Sequence, residues 1–252
     1  MTRLYGQPWN KGRNVGPRQA LTPVNVRAVK KYLAQQKSPH DLCLFTVAID
    51  SMLRASDLMR LRVSDVSFPN GNIRNSFLWR QKKTSNGVNP VLTDYTQRVL
   101  KRWVNASNKL PNHFLFTREK PIDGEPITVG FYRNLVKDWV KAIGLPPHDY
   151  SAHSLRRSKA IYMYESGVAV EIIGRLLGHK SPASTLHYLG IDDNSARAIA
   201  NEYDIFKISS VKKPVQNRQF SAAEISDLCD QIWAQLAPKL SELFDETPKI
   251  GR

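Results

Sequence analysis

Apolar residues recur at helical spacing soon after residue 20, and they predict the first helix of the chain. In "LTPVNVRAVKKYLAQQ", Thr22 is placed as an N-cap and Pro23 as the first helical residue. The apolar positions of this segment are Val26, Val29 and Leu33. The next segment is apolar almost all round from Leu42 to Leu53, which is typical of a helix buried at the centre of a domain.

The pattern changes to short strand-like runs between residues 63 and 93. The runs "IRNSFLWR" and "VNPVLT" flank "QKKTSNG", and this arrangement predicts a β-hairpin with a basic tip. Helical periodicity then returns in five segments, at residues 94–106, 128–142, 154–166, 169–177 and 182–188. The chain is therefore predicted to be mainly α with a small antiparallel β-sheet, an α+β fold.

Both ends of the chain differ from this central region. Residues 1–20 are rich in Gly, Pro and basic residues and contain no acid, which predicts an extended basic arm. A linker and an acidic amphipathic helix are predicted after residue 205, with Ser221 and Glu224 as a capping box and a bend at Pro238. The predicted domains are an arm at 1–20, a folded domain at 21–205, and the linker and C-terminal helix at 206–252.

Charge indicates the kind of partner. The 252 residues include 37 Lys and Arg against 22 Asp and Glu, a formal net charge of +15. A field of this sign favours polyanions, with nucleic acid ahead of an anionic membrane surface. No apolar run approaches the roughly 20 residues that span a bilayer, and the basic N-terminus lacks the apolar stretch of a secretory signal. Two distant cysteines, Cys43 and Cys229, indicate neither a disulfide scaffold nor a zinc module, so a cytoplasmic protein is predicted.

Two motifs in the second half of the chain carry side chains that can bind or attack a phosphate. "SAHSLRRSKA" places His153 and Arg156 three residues apart where a helix begins, and both helix N-termini and guanidinium groups attract phosphate oxygens. "LLGHKSPASTLHYLG" offers Gly178-His179 and then Tyr188, nine residues after the histidine. Taken singly, each of these features is more often structural than chemical.

Two further motifs are basic. Arg54, in "SMLRASDLMRL", follows the most apolar segment, and burial of its charge requires a partner. One candidate partner is Asp57 in a structural ion pair and the other is a phosphate, and both interpretations can hold together. Lys82 and Lys83 occupy the predicted hairpin tip, where lysine side chains are usually only solvated.

The order and spacing of these motifs resemble the tyrosine recombinase family, the phage integrase type. The resemblance runs from Leu21 to Ile191, about two thirds of the chain. It implies the tyrosine recombinase catalytic-domain fold for residues 21–205. The six catalytic positions that it implies are Arg54, Lys83, His153, Arg156, His179 and Tyr188, with Lys82 as an alternative to Lys83. Two departures concern local geometry: "SML" stands where a glycine often precedes the first arginine, and Ser154 stands where an aspartate commonly follows the first histidine.

The resemblance also implies a function and a role for each catalytic residue. The function is site-specific DNA recombination, that is integration, excision or inversion, through a covalent 3′-phosphotyrosyl intermediate. In that chemistry Tyr188 is the nucleophile and the two arginines clamp the phosphate. Proton transfer to the leaving 5′ oxygen suits Lys83, and proton exchange with the nucleophile suits His153. A hydrogen bond to a phosphate oxygen suits His179. The histidines lack companion ligands at zinc-like spacing, so no metal, ATP or other cofactor is expected.

The implied partners are double-stranded DNA recombination sites and further copies of the chain in a homo-tetramer on DNA, with an accessory DNA-bending or directionality protein as an additional candidate. The chain resembles the short fimbrial-switch recombinases, which lack a separate N-terminal core-binding domain. It is expected to be a cytoplasmic protein, either of the bacterial nucleoid or encoded by a phage. The basic arm is expected to replace that domain on DNA, and either the helix after Tyr188 or the acidic tail is expected to grip a neighbour. Two rival hypotheses are a type IB topoisomerase and a catalytically silent DNA-binding regulator.

Overall fold

The computed structural model describes residues 18–117 and 124–191. All of these residues belong to one compact unit. Most of the predicted basic arm and all of the predicted C-terminal linker and helix lie outside the described residues, so these two assignments stay predictions. Among the helices that are described, none is long and apolar enough to cross a membrane.

The described part of the chain is a bundle of helices with one small hairpin, which confirms the predicted fold class. The elements in chain order are α1 Pro23–Gln35, α2 Pro39–Ser51, α3 Ala55–Leu58, α4 Val63–Val66, β1 Trp79–Arg80, β2 Gly87–Val88, α5 Asp94–Ser107, α6 Val129–Ala142, α7 Ala152–Glu165, α8 Val170–Leu177 and α9 Pro182–Leu189. The two strands pair antiparallel, with Trp79 opposite Val88 and Arg80 opposite Gly87.

Hydroxyl side chains set the starts of most of the longer helices. In each case a Ser or Thr oxygen at the N-cap accepts a hydrogen bond from a backbone N–H of the first turn, which satisfies a donor that the helix itself leaves unpaired. These caps are Thr22, Ser38, Thr93, Thr128, Ser151 and Ser181. The cap at Thr22 confirms the predicted start of the first helix.

Helix α2 forms the centre of the core, as its apolar sequence predicts. It packs against α1, α5 and α7, and its side chains from Cys43 to Ala48 are buried. One carboxylate, Asp50, ties these helices together. It accepts hydrogen bonds from the Thr93 backbone N–H at 2.8 Å and from the Lys159 ammonium at 3.0 Å. The start of α5 and the middle of α7 are thereby fixed to the end of α2.

The end of α2 differs from the prediction. The apolar run predicts a helix up to Leu53, but the helix stops at Ser51 because Met52 takes a left-handed backbone conformation with φ 49°. Arg54 is therefore the N-cap residue of the next short helix, α3. A further difference is α4, a single helical turn at Val63–Val66 in a region where the sequence pattern predicted strands.

The hairpin lies against the C-terminal end of α8. Two side chains of its loop donate hydrogen bonds to that end: the Gln81 amide to the Leu177 carbonyl and the Asn86 amide to the Gly178 carbonyl, both at 3.0 Å. Gly178 has φ +69° and terminates α8. A Cβ atom there would lie 2.7 Å from Cγ1 of Val88 and 2.9 Å from Oε1 of Gln81. Only glycine lets hairpin and helix approach this closely.

We predict that Gly178→Ala is markedly more destabilising than Gly144→Ala. Gly144 has φ +81° but open space around its Cβ position, so alanine there meets backbone strain alone, about 1–2 kcal/mol. Gly178→Ala adds overpacking, which costs about 1–3 kcal/mol more. Denaturant unfolding of both variants measures the difference. Equal losses of unfolding free energy would show that the hairpin does not press on α8.

Candidate active site

Tyr188 on α9 lies among four basic or imidazole side chains of its own chain. Its ring centroid is 5.1 Å from that of His153 and 5.2 Å from that of His179. The guanidinium carbons of Arg156 and Arg157 each lie 5.8 Å from the same centroid. Three segments that are separate in sequence therefore meet at one phenol.

Helix α7 supplies three of these side chains from its first two turns. Ser151 caps the helix by accepting a hydrogen bond from the His153 backbone N–H. His153 and Arg156 are three residues apart and so share a face. Arg156 is only 2% exposed, and its Nη2 donates to the Leu177 carbonyl oxygen at 2.9 Å. Its Nε and Nη1 atoms are buried with no hydrogen-bond partner among the described residues.

His179 is placed by the turn between α8 and α9. Its backbone N–H donates to the Gly174 carbonyl oxygen at 2.9 Å, which closes the end of α8. Its ring Nδ1 lies 3.1 Å from the hydroxyl oxygen of Thr185, a fully buried residue of α9. The imidazole is therefore held through one nitrogen, and Nε2 is left for a ligand.

Arg54 reaches the same site from the start of α3. Its Nη1 donates to Oε1 of Gln81, a short hydrogen bond across the hairpin. Of the two candidate partners, Asp57 makes no ion pair with Arg54 in the part of the chain that the structure describes. The Oδ1 atom of that buried carboxylate instead accepts from the Lys82 backbone N–H at 2.8 Å and lies 3.9 Å from Nη1 of Arg60. Asp57 thus orders the hairpin loop rather than Arg54.

Lys82 and Lys83 stand apart from this cluster. Both are exposed at the turn of the hairpin. Within residues 18–117 and 124–191, neither ammonium group makes a hydrogen bond or an ion pair. The structure therefore brings together five of the six predicted positions and leaves the hairpin lysine at the rim. The choice between Lys82 and Lys83 stays open.

The site is positively charged but its histidines are neutral. Burial, followed by the positive charges of Arg156, Arg157 and Arg54, lowers the pKa of His153 to about 4. Burial and the same Arg156 and Arg54 charges lower the pKa of His179 to about 4. At neutral pH both imidazoles can therefore accept a proton.

The phenol is also neutral at physiological pH. Burial raises the pKa of Tyr188 to about 12, although the charges of Arg156, Arg157 and Arg54 act in the opposite direction. Its hydroxyl is buried, and the Arg156 guanidinium is the group of the described residues that acts on it most strongly. A negative charge on this oxygen would thus need a partner that accepts its proton and a field that compensates its desolvation.

Three residues of the site are absent from the sequence prediction. Arg157 directly follows Arg156, and that adjacency was the only sign of it. Gln81 directly precedes the two hairpin lysines, and nothing in its residue type marks it. Arg133 of α6 lines a polar cavity of about 230 Å³ together with His153 and Arg156, and no local pattern indicates this.

A sequence profile of the phage integrase family matches residues 19–195. The chain belongs to the phage integrase family. This membership confirms the resemblance that the sequence motifs indicate.

Curated relatives of similar sequence carry recombinase names. The chain is similar to the probable integrase/recombinase YoeC of Bacillus subtilis, with 28% identity over 177 residues that cover 69% of this chain and 89% of that protein. It is also similar to the tyrosine recombinase XerA of Saccharolobus solfataricus, with 28% identity over 191 residues, 74% of this chain and 57% of that protein. The chain spans most of the Bacillus relative and about half of several others.

Solved structures share the fold at low sequence identity. The crystal structure of XerA recombinase matches with a TM-score of 0.60 and 18% identity, over 77% of this chain and 68% of that one. XerH site-specific recombinase bound to palindromic difH substrate, in a post-cleavage complex, matches with a TM-score of 0.58 and 19% identity, over 73% and 53%. The predicted tyrosine recombinase catalytic-domain fold is confirmed.

The lowered histidine pKa values predict an acid-sensitive fold. Between pH 6.5 and pH 4 the unfolded chain protonates these two imidazoles and the folded chain does not, so the free energy of unfolding falls as the pH is lowered through this window. A double variant, His153→Gln with His179→Gln, should lose less stability than the wild type between these two pH values. Thermal unfolding at a series of pH values measures the effect.

The control for this prediction is His148→Gln. The His148 side chain is 81% exposed and lies outside the cluster, so this variant measures the effect of losing a histidine that is not part of the site. If the double variant and the wild type lose the same stability on acidification, the two site histidines are not held neutral in the folded chain.

Proposed function

We propose that this chain is a site-specific DNA recombinase that cleaves and rejoins strands through a covalent 3′-phosphotyrosyl intermediate at Tyr188. One observation carries the proposal: the phenol shares a site with a buried guanidinium whose Nε and Nη1 atoms have no described partner. A bound phosphodiester would supply the missing acceptors and the missing negative charge. Such donors act most strongly where water is excluded.

The two arginines suit the role of a phosphate clamp. Arg156 is fixed by its bond to the Leu177 carbonyl, so its other edge is already oriented before an anion arrives. Arg54 is oriented by Gln81 from the opposite segment. Together they would neutralise the non-bridging oxygens as charge accumulates in the transition state. Neutral His179 would donate from Nε2 to one of these oxygens in the tautomer whose Nδ1 accepts from the Thr185 hydroxyl.

The strand-cleaving step follows from the protonation states. The Tyr188 oxygen attacks the phosphorus while its proton passes to the neutral imidazole of His153, and the P–O5′ bond breaks. The leaving 5′ oxygen takes a proton from Lys83, or from Lys82, when DNA draws the hairpin tip over the site. Rejoining is the reverse: a 5′ hydroxyl attacks the phosphotyrosine and the phenol is released. No redox or nucleotide cofactor enters these steps.

Charge and the names of the relatives support DNA as the substrate. The net charge of +15 favours a polyanion. A neighbour of the same fold is titled as a site-specific recombinase in a post-cleavage complex with its substrate. Strand exchange between two duplexes needs four active sites, so we propose a tetramer on DNA. We also propose that an accessory DNA-bending protein takes part and that the reaction takes place in the bacterial cytoplasm. Metal independence is a further part of it, and full cleavage in EDTA is the expected behaviour.

We predict that Tyr188→Phe abolishes covalent DNA attachment. The test first selects a binding site from a pool of random duplexes and then uses that duplex with a nick beside the cleavage position, so that the released fragment diffuses away and the adduct accumulates. The wild type should yield a DNA-linked band in denaturing gels, and the variant should yield none because it lacks the attacking oxygen.

Tyr162→Phe is the matched control, since Tyr162 is 54% exposed on α7. It should form the adduct at the wild-type rate. An adduct that survives Tyr188→Phe would place the nucleophile elsewhere. Relaxation of any supercoiled plasmid without paired sites would favour the topoisomerase alternative, and specific binding without an adduct would favour the silent regulator.

A further inference from the structure

Gln81 sits at the junction of the elements that form the site. It is 2% exposed and lies at the start of the hairpin loop. Its Oε1 accepts hydrogen bonds from Nη1 of Arg54 and, at 2.9 Å, from the hydroxyl of Thr84. Its Nε2 donates to the Leu177 carbonyl oxygen at 3.0 Å. A single amide thus bonds to α3, to its own loop and to the end of α8.

The Leu177 carbonyl extends this connection to the second arginine. The same oxygen accepts the hydrogen bond from Nη2 of Arg156 at 2.9 Å. Arg54 and Arg156 are therefore linked through two groups, the Gln81 amide and one backbone carbonyl. The relative position of the two guanidinium groups follows from these bonds, although the residues are far apart in sequence.

The chemistry of an amide suits this task better than that of a carboxylate. An amide oxygen orients a guanidinium but leaves its positive charge for a ligand, whereas a carboxylate would neutralise that charge and repel a phosphate. The amide also offers a donor for the carbonyl, which a carboxylate lacks. Gly178 leaves room for this side chain, because a Cβ there would lie 3.0 Å or less from its amide atoms.

We propose that Gln81 is a positioning residue for the recombination chemistry: it holds Arg54 in register with Arg156, and it acts on the phosphate only through Arg54. This inference rests on the proposed function. It adds a residue outside the six predicted positions. It also states that Gln81 supports cleavage through its hydrogen bond to Arg54 and not through the docking of the hairpin on α8.

The test compares Gln81→Met with the wild type on the selected nicked duplex. Methionine has a similar length and no amide, so the core contact is kept while the bonds to Arg54 and Leu177 are lost. Under single-turnover conditions the rate of adduct formation should fall about 100-fold, as a misplacement of roughly 1 Å costs in other enzymes. DNA affinity should change little, because duplex binding draws on many phosphate contacts besides the one that Arg54 makes.

The variant Asn86→Leu distinguishes the positioning of Arg54 from the docking of the hairpin on α8. Asn86 lies in the same loop and donates to the neighbouring carbonyl of Gly178, but it has no bond to Arg54. This variant should lose stability and keep its cleavage rate within a few-fold of the wild type. If it loses as much rate as Gln81→Met, hairpin docking explains both defects and the proposal is overturned.

A second comparison tests whether Gln81 acts through Arg54 or through the two hairpin lysines. A duplex with a bridging 5′ sulfur at the cleaved phosphate has a thiolate leaving group, which departs without a proton. This substrate should restore cleavage by a Lys82→Ala, Lys83→Ala double variant. It should leave the defect of Gln81→Met in place. Equal rescue of both proteins would mean that Gln81 serves the lysines, contrary to the proposal.

A third measurement needs no DNA and so distinguishes failure of this inference from failure of the proposed function. The Nε–Hε signal of Arg54, assigned with Arg54→Lys, should report a rigid side chain by NMR relaxation in the wild type and a mobile one in Gln81→Met. An equally rigid Arg54 in both proteins overturns the positioning role. Absence of a Tyr188 adduct in the wild type would instead overturn the recombinase function and leave this result standing.

Discussion

The arrangement of the site depends on the burial of one positive charge. The Arg156 guanidinium is 2% exposed; its Nη2 donates to a backbone carbonyl, and the Tyr188 phenol is the neutral side chain that acts on it most among the described residues. Withdrawing such a charge from water costs several kcal/mol, and a neutral carbonyl recovers only part of that cost. The carboxylate that acts on it, Asp57, is itself bonded to the hairpin backbone. The proposed phosphodiester would add a further negative charge beside this guanidinium.

The surrounding fold holds the Arg156 guanidinium in place and determines which side chains its charge acts on. The Ser151 cap sets the start of α7, and the end of α8 presents the Leu177 carbonyl to both Arg156 and Gln81. Burial, together with this field, lowers the pKa of His153 and His179 and keeps both imidazoles neutral, so they can accept a proton or hydrogen-bond a ligand. An anion that neutralises the arginines would favour protonation of His153, so binding and proton transfer are coupled.

Much of the fold could be predicted from local sequence, because local physics fixes it. The caps at Thr22 and Ser151 and the apolar run of α2 mark helices through contacts between near neighbours. The stop at Met52 was missed because a left-handed residue in an apolar run has no local marker. Five of six site positions came together as the motif order implied. The partner of Arg54 was not predictable, since Gln81 lies 27 residues away and only the hairpin's docking on α8 brings it there.

The most direct test of the account is a crystal structure of the chain soaked with tungstate, a tetrahedral oxyanion that resembles phosphate. The account predicts one ion hydrogen-bonded to Nε or Nη1 of Arg156 and to Arg54, with the Tyr188 hydroxyl about 3–3.5 Å from it, the spacing of a reactive pair. An empty site in a crystal that binds tungstate elsewhere, or an ion beyond the reach of Tyr188, would contradict the claim that this buried charge exists to hold the phosphate that the phenol attacks.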